Sequence, residues 1–152
     1  MDIISNLSKL NLKLPGISIP GGNYQSVNIR GSIAFVAIQF PIKNGEYLYM
    51  GRLGTDFTTL EGYEAVELCT LNVLAQVHKK IGFENILGLN HIEICFRSNG
   101  NWDESPLIAN GASDLFVKTL GKKGNHTRSI YGVDNLPSNF CVGLTTSFTI
   151  KL

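Results

Sequence analysis

The spacing of apolar and polar residues predicts strands and helices along the whole chain. Apolar residues alternate with polar ones over Val27–Arg30, which predicts a strand, and Gly31-Ser32 predicts the turn after it. Residues 33–40 are apolar at nearly every position, which is typical of a central strand covered on both faces. A turn signal at residues 43–45 then predicts a short strand or sheet edge over residues 47–50.

Two further stretches have the three-to-four-residue apolar spacing of amphipathic helices. The longer begins at Thr58, which with Glu61 fits a capping box, and ends before Gly82. The second begins near Pro106 and ends before Gly121. A short helix over residues 2–9 lies within an N-terminal extension, residues 1–14.

Three more strands complete the predicted order, over residues 86–97, 128–133 and 140–152. The resulting order is strand, strand, strand, helix, strand, helix, strand, strand. Such an order indicates an α+β fold, a mixed sheet with both main helices on one face. At 152 residues the chain is long enough for one domain with its own core, so residues 1–152 are expected to form one domain.

The composition of the chain limits the classes of partner that we expect it to bind. A net charge of +1 argues against a face that neutralises nucleic-acid phosphates. Charged residues make up only 16%, a sparse surface that favours burial of part of it against another copy of the chain. No apolar run is long enough to cross a bilayer and the first residues lack a signal-peptide pattern, so a cytoplasmic location is expected.

No cofactor or metal site is expected from the sequence. Cys69, Cys95 and Cys141 are widely spaced and the three histidines do not complete a metal-binding set around them. Each cysteine lies in an apolar pattern, which favours a small buried side chain in a reducing compartment. Gly51 and Gly54 do not belong to a phosphate-loop motif.

Arg128 is the charged residue that points to chemistry. It opens a strand and follows Lys122, Lys123 and His126, so the segment could hold an anion. A guanidinium offers a planar fork of donors that matches a carboxylate, which a lysine cannot do. Geometry alone leaves open a solvent-exposed arginine at a strand end. His126 likewise either adds charge to this site or lies in the loop, and Ser129 has no neighbouring histidine and aspartate that would make it a nucleophile.

Five motifs in order resemble the Rid family, the reactive intermediate deaminases, also called YjgF-like or L-PSP endoribonuclease proteins. They are Gly22-Asn23-Tyr24, Gln39-Phe40-Pro41, Gly51-Arg52-Leu53-Gly54, Asn110-Gly111-Ala112-Ser113-Asp114-Leu115 and the run His126-Thr127-Arg128-Ser129 with Gly132-Val133 and Leu136-Pro137. The resemblance covers nearly the whole chain. It implies a chorismate-mutase-like fold with a six-stranded sheet, and a homotrimer whose sheets form a central barrel with ligand sites in the clefts between subunits.

The resemblance also assigns roles to individual residues. It implies that Arg128 binds a substrate carboxylate, as the catalytic residue, and that Tyr24 and Asn110 line the same cleft. Ile130 stands in that cleft where related proteins commonly have a cysteine. The implied activity is hydrolysis of 2-imino or 2-enamino acids to 2-oxo acids and ammonia, by addition of water to the electrophilic carbon beside a fixed guanidinium.

Three positions depart from the deaminating pattern. Gly143 replaces the glutamate that positions the attacking water, Ile130 replaces a cysteine, and Ala37 replaces a serine. Losing a positioned acid or base can cost on the order of a hundredfold in rate. Four carboxylates could take the place of the glutamate: Glu93, Asp103, Glu104 and Asp114. Each also has an ordinary structural role to account for it, and only for Glu93, which lies in a strand, does the sequence leave open which face of the sheet the side chain is on.

Three functions therefore stand at this point. The first is an imine or enamine deaminase, a hydrolase, and the second is a non-catalytic protein of the same fold that binds or senses a small carboxylate. The third, an L-PSP-type endoribonuclease, is disfavoured because the sequence has neither a histidine pair nor a broad basic stripe.

Overall fold

The computed structural model describes residues 2–152, which fold as one mixed sheet with helices packed on one face. The elements, in chain order, are α1 (Ile3–Lys9), β1 (Val27–Arg30), β2 (Ile33–Gln39), β3 (Ile42–Lys43), β4 (Glu46–Tyr47), α2 (Thr59–Lys80), β5 (Ile86–Phe96), α3 (Ser105–Leu120), β6 (Thr127–Gly132) and β7 (Val142–Ile150). Short 3-10 turns lie at Phe83–Asn85, Gly121–Gly124 and Pro137–Asn139. The α+β fold class and the predicted helices are confirmed.

The sheet has five strands, in the order β1-β2-β7-β5-β6, so the expected number of six is wrong. β5 and β6 are parallel and the other pairs are antiparallel. β3 and β4 pair only with each other. Two features next to Pro41 keep β3 and β4 out of the large sheet. Pro41 has no N–H to donate to a neighbouring strand. Asn72 on α2 donates to the carbonyl oxygens of Phe40 and Ile42 at 2.9 and 2.8 Å, which ties this segment to the helix. That anchoring and the turn at Asn44-Gly45, with φ values of 52° and 84°, direct the chain away from the sheet.

The strand over residues 33–40 is neither central nor covered on both faces. β7 is the middle strand, and β2 lies beside the edge strand β1. Along β2, Ala34 and Val36 are buried beneath the helices whereas Phe35 is 54% exposed. The run is apolar on both faces, but only the face beneath the helices is covered within one chain. The same open face of the sheet carries many hydroxyl side chains, including Thr145, Ser147, Thr149, Thr127 and Ser129.

Both long helices cover the other face and are closely packed. Thr58 and Glu61 cap α2 reciprocally, as the capping-box pattern predicts. Gly111 lets α3 approach α2, since a Cβ at this position would lie 2.3 Å from the carbonyl oxygen of Tyr63. α1 packs against α3, where Asn6 Nδ2 donates to the carbonyl oxygen of Thr119 at 3.0 Å. The close approach of α3 fixes the neighbouring residue Asn110 relative to the sheet.

The three cysteines are free thiols in different surroundings. Cys69 and Cys141 are buried, as predicted, and burial raises the pKa of the Cys141 thiol to about 12. Cys95 is only half-buried, because it lies on the open face of β5. Burial keeps Cys69 and Cys141 as neutral thiols at physiological pH, so they act as small apolar side chains.

Candidate functional site

Arg128 lies on the edge strand β6, with its side chain on the helix-covered face. Its parallel partner on β5 is Ile92, which is fully buried beneath the helices. From this position Arg128 Nη1 donates to Asn110 Oδ1 at 2.8 Å and to Ser113 Oγ at 3.2 Å, both on α3. The structure therefore brings together Arg128 and Asn110, two of the residues expected to share a site. The alternative of an arginine extended into solvent is wrong, since the side chain is part-buried and hydrogen-bonded.

The rest of the guanidinium has no partner. Within residues 2–152 neither Nε nor Nη2 of Arg128 makes a hydrogen bond, and no carboxylate lies within 4.0 Å of it. Arg52, in contrast, is 3.5 Å from Asp134 and also donates to two carbonyl oxygens. A part-buried cation with one nitrogen fixed and two donors uncommitted is suited to an anion.

His126 extends this cluster. Its Nε2 lies 2.8 Å from Ser113 Oγ, and its Nδ1 lies 2.6 Å from the carbonyl oxygen of Gly124. His126 lies in the loop before β6, as one of the two interpretations expects, and it is tied to the residue that contacts Arg128. The histidine does not touch Arg128 directly.

Tyr24 lies elsewhere, in a cavity of about 490 Å³ that we call the Tyr24 pocket. Its wall includes the side chains of Tyr24, Ala37, Ile38, Gln39, Phe40, Tyr47, Gln76 and Phe140, and none of its lining residues is charged. Tyr24 is 50% exposed, and its hydroxyl accepts a hydrogen bond from the backbone N–H of Gly21 at 3.1 Å. Tyr24 leads into β1 and Arg128 lies on β6, at opposite edges of the sheet, and Arg128 does not line the pocket. The two residues therefore do not form one cleft within a single chain.

Ile130 and Gly143 replace polar residues of the deaminating pattern, and both are packed. Ile130 pairs with buried Ile94, so it lies on the same face as Arg128 and packs against the core. A Cβ on Gly143 would lie 2.7 Å from Ile38 Cδ1 and 3.0 Å from Phe40 Cε1. The side chain of Ile38 therefore occupies the space in which a larger residue at position 143 would begin.

Three of the four alternative carboxylates, Asp114, Glu104 and Glu93, have partners other than Arg128. Asp114 accepts a hydrogen bond from the Tyr63 hydroxyl at 2.8 Å, and burial together with this carboxylate raises the pKa of Tyr63 to about 12. Asp114 is thus exposed and hydrogen-bonded to α2. Glu104 accepts from Thr59 at 2.7 Å. Glu93 lies on the open face of the sheet, away from Arg128.

A polar cluster on that open face was not predicted from the sequence. His91 Nδ1 lies 2.7 Å from Thr127 Oγ1, and His91 Nε2 lies 3.2 Å from Ser129 Oγ and 3.8 Å from Glu93 Oε1. Ser129 does therefore have a histidine neighbour in space, which its local sequence does not reveal. The acidic residue and the serine share one ring nitrogen, so the arrangement lacks an acid that orients the histidine from the opposite side. The two-residue spacing of His91 and Glu93 predicts that both side chains lie on one face of β5. Only the register of the parallel pair β5–β6 shows that Thr127 and Ser129 lie beside them.

Arg97 was also not predicted, and its role is structural. It is 6% exposed and donates to the carbonyl oxygens of Asp134, Gly51 and Asn139 at 3.3, 3.2 and 2.7 Å. These bonds hold the two loops that follow β4 and β6 against the end of β5. All three acceptors are backbone groups, so no sequence pattern marks this role.

Metal-binding clusters and membrane-spanning helices are both absent from residues 2–152. This part of the chain contains no group of three or more His, Cys, Asp or Glu side chains that could hold a metal ion. None of its helices combines the length and the apolar character needed to span a membrane.

Comparison with known proteins supports the fold and identifies the family of the chain. Residues 4–148 match the family model described as "YjgF/chorismate_mutase-like, putative endoribonuclease". "Protein TCP17" of Trypanosoma cruzi is 31% identical over 137 residues, which cover 89% of this chain and 86% of that protein.

Solved structures show the same similarity. A "putative endoribonuclease" from Shewanella oneidensis superposes with a TM-score of 0.95 at 33% identity, covering 98% of this chain and 99% of that one. E. coli TdcF with bound serine shares the fold, with a TM-score of 0.63 at 18% identity over 91% of this chain and 94% of that one. The expected chorismate-mutase-like fold is confirmed, and the chain belongs to the YjgF/chorismate mutase-like family.

Proposed function

We propose that the chain binds a small organic carboxylate through Arg128. The observation that carries the proposal is a guanidinium whose Nη1 is held by Asn110 and Ser113 while Nε and Nη2 have no partner within residues 2–152. Nε and Nη2 are adjacent on one edge of the fork, the geometry with which an arginine takes both oxygens of a carboxylate. Hydrogen bonds to charged groups are each worth about 1.5–3 kcal/mol net.

We further propose that a neighbouring copy of the chain supplies the rest of the cleft, as in a homotrimer with a central barrel. Support comes from the separation of Arg128 and the Tyr24 pocket within one chain, and from Phe35 and Tyr131, which are 54% and 51% exposed on the open face. If the partner's Tyr24 pocket faces Arg128, the body of the ligand lies among uncharged walls. A distant protein of the same fold, TdcF, holds serine, which carries a carboxylate. Three free cysteines, two of them buried, support a reducing compartment and hence a cytoplasmic location.

Binding without turnover is the form of the proposal that the site favours. At Gly143 there is no carboxylate to position a water molecule, and Ile38 fills the space beside it. The second candidate is a deaminase, in which water adds to the C=N carbon of a 2-imino acid and the tetrahedral adduct releases ammonia to leave a 2-oxo acid. The Arg128–Asn110 contact favours this candidate because it would hold the acid at a fixed distance from a polar amide. RNA cleavage is not part of the proposal, because His126 bonds to α3 on the helix-covered side whereas His91 lies on the open face of the sheet, so the two do not form a histidine pair.

Calorimetric titration with 2-oxobutanoate tests carboxylate binding. We expect Arg128→Ala to weaken binding by about 150-fold or more, because both hydrogen bonds, at about 1.5–3 kcal/mol each, are lost. Arg128→Lys should also weaken it, because an ammonium keeps the charge but loses the fork. Arg30→Ala is the matched control, since Arg30 is exposed on β1 and its guanidinium is bonded only to Asn28 and Ile29. Equal affinities of wild type, Arg128→Ala and Arg30→Ala would contradict the proposal.

Ammonia release from an imino acid generated in situ separates the two candidates. If the chain only binds, wild type should not exceed the rate of the uncatalysed reaction, and Ile38→Ala with Gly143→Glu should exceed it, because the double change restores an acid and makes room for it. Gly143→Glu alone is the control for the role of Ile38. Turnover by wild type that Arg128→Ala abolishes would instead establish the deaminase. Sedimentation velocity on the same samples tests the trimer, and a monomer at micromolar concentration would refute it.

A further inference from the structure

A chain of hydrogen bonds connects Arg128 to the backbone through two side chains with no assigned role. Arg128 Nη1 lies 3.2 Å from Ser113 Oγ, which lies 2.8 Å from His126 Nε2, and His126 Nδ1 lies 2.6 Å from the carbonyl oxygen of Gly124. All three distances are within hydrogen-bond range. The chain runs from Arg128 on β6 through Ser113 in the middle of α3 to the 3-10 turn that ends at Gly124.

Donor and acceptor chemistry sets the direction of every bond in this chain for the neutral form of the His126 ring. A carbonyl oxygen only accepts, so Nδ1 of His126 carries the proton and Nε2 of the neutral ring accepts. The Ser113 hydroxyl then donates to Nε2, and its oxygen is left to accept from Arg128 Nη1. A second proton of Nη1 goes to Asn110 Oδ1 at 2.8 Å. Both hydrogens of Nη1 are thus fixed, and Nε and Nη2 have no partner within residues 2–152.

The backbone end of the chain is rigid. A Cβ at Gly124 would lie 2.4 Å from the carbonyl oxygen of Phe116, so only glycine permits the backbone to pack this closely against α3. Gly124 is buried, and the His126 ring also packs edge-on against Phe116 with ring centroids 6.3 Å apart. The carbonyl that accepts from His126 therefore has a fixed position relative to α3.

We propose that Ser113 and His126 are positioning residues that hold the Arg128 guanidinium ready for an incoming anion. The benefit is entropic: an arginine side chain has several rotatable bonds, and ordering it before binding spares the ligand that cost. The inference rests on the proposed function only for its ligand, since the state of the arginine side chain can be measured without one.

The obvious alternative is that His126 serves only to stabilise the fold by packing on Phe116. His78 provides a control for the loss of an imidazole packed on a phenyl ring: it packs on Phe83 with ring centroids 4.6 Å apart, is exposed where His126 is half-buried, and has no hydrogen bond to Arg128 or Ser113. The variants are Ser113→Ala, His126→Ala, His126→Gln and His78→Ala. In His126→Gln the amide oxygen can accept from Ser113 as Nε2 does.

The first measurement is nitrogen-15 NMR of the Arg128 side chain without ligand, which reports rotation of the guanidinium. We expect slow rotation in wild type, His78→Ala and His126→Gln, and fast rotation in Ser113→Ala and His126→Ala. The second is titration with 2-oxobutanoate, in which the two alanine variants should bind about threefold to tenfold more weakly, as for the loss of one hydrogen bond. His126→Gln should recover most of that affinity.

The outcomes separate this inference from the proposed function. If wild type does not bind 2-oxobutanoate but Arg128 rotates faster in the alanine variants, positioning stands and the ligand class fails. If wild type binds and neither the rotation of Arg128 nor the affinity changes in Ser113→Ala, positioning fails and carboxylate binding stands. A fall in melting temperature of His126→Ala that matches that of His78→Ala, with Arg128 unchanged, would leave His126 a purely structural role and overturn the inference.

Discussion

Replacing Gly143 by alanine measures how tightly Ile38 fills the position of the missing acid. The new Cβ would lie 2.7 Å from Ile38 Cδ1 and 3.0 Å from Phe40 Cε1, against 3.4–4 Å for an ordinary contact. Overpacking of this kind costs about 1–3 kcal/mol. In a strand, alanine should recover about 0.5–1 kcal/mol because glycine loses more backbone entropy on folding. We therefore expect Gly143→Ala to lower the free energy of unfolding by about 0.5–2 kcal/mol.

A double-mutant cycle with Ile38→Val identifies the cause. Valine lacks the Cδ1 atom that makes the shortest contact, and Ile38→Val alone should cost about 0.5–1.5 kcal/mol, at the low end because Ile38 is half-buried. In the Ile38→Val background Gly143→Ala should cost less than in wild type, by about 1 kcal/mol of coupling. Urea denaturation at one fixed protein concentration gives each free energy of unfolding, with unchanged m-values as the check on two-state behaviour.

Two results would refute this account of the Ile38 contact. One is stabilisation by Gly143→Ala in wild type, which would show that the strand position is unobstructed. The other is an equal cost of Gly143→Ala in both backgrounds, which would show that Phe40 or the backbone, and not Ile38, limits the space. Either result would also remove the reason for combining Ile38→Ala with Gly143→Glu in the activity assay.

Three further predictions concern the helices that carry the site. The pKa of Tyr63 is raised to about 12, so the stability that its neutral form contributes is complete below pH 10 and is lost as the pH rises towards 12. Absorbance titration at about 295 nm should show a late tyrosine that Tyr63→Phe removes and Asp114→Asn shifts downward, and that is distinct from Tyr49, whose pKa is also raised by burial. Gly111→Ala should destabilise the fold by more than about 2 kcal/mol and weaken carboxylate binding, because its Cβ would strike backbone 2.3 Å away; wild-type melting and affinity would contradict the close helix packing. Thr58→Ala should cost about 1 kcal/mol in urea denaturation through loss of the cap, and Thr58→Ser, which keeps the hydroxyl, should cost clearly less.

The local pattern of the sequence determined which helices and strands form. Each element depends on signals that lie within about twenty consecutive residues: the cap at Thr58, the glycines at the helix ends and the period of the apolar spacing. For this reason α2, α3, β5 and β6 could be predicted close to their observed bounds. Ordered motifs likewise gave the family and the pairing of Arg128 with Asn110. In both cases the deciding interactions are local or belong to a pattern repeated in related sequences.

Tertiary structure alone decided strand order, facing and the partners of each polar side chain. The parallel register of β5 and β6 brings His91 next to Ser129, 38 residues away, and the same register places Arg128 on the helix face beside Ser113. Arg97 binds three carbonyl oxygens that no sequence pattern can distinguish from any others. The separation of Tyr24 from Arg128 is likewise set by the order of strands across the sheet. These features depend on contacts between segments distant in sequence, whose geometry is fixed only when the whole sheet is assembled and the helices are packed on it.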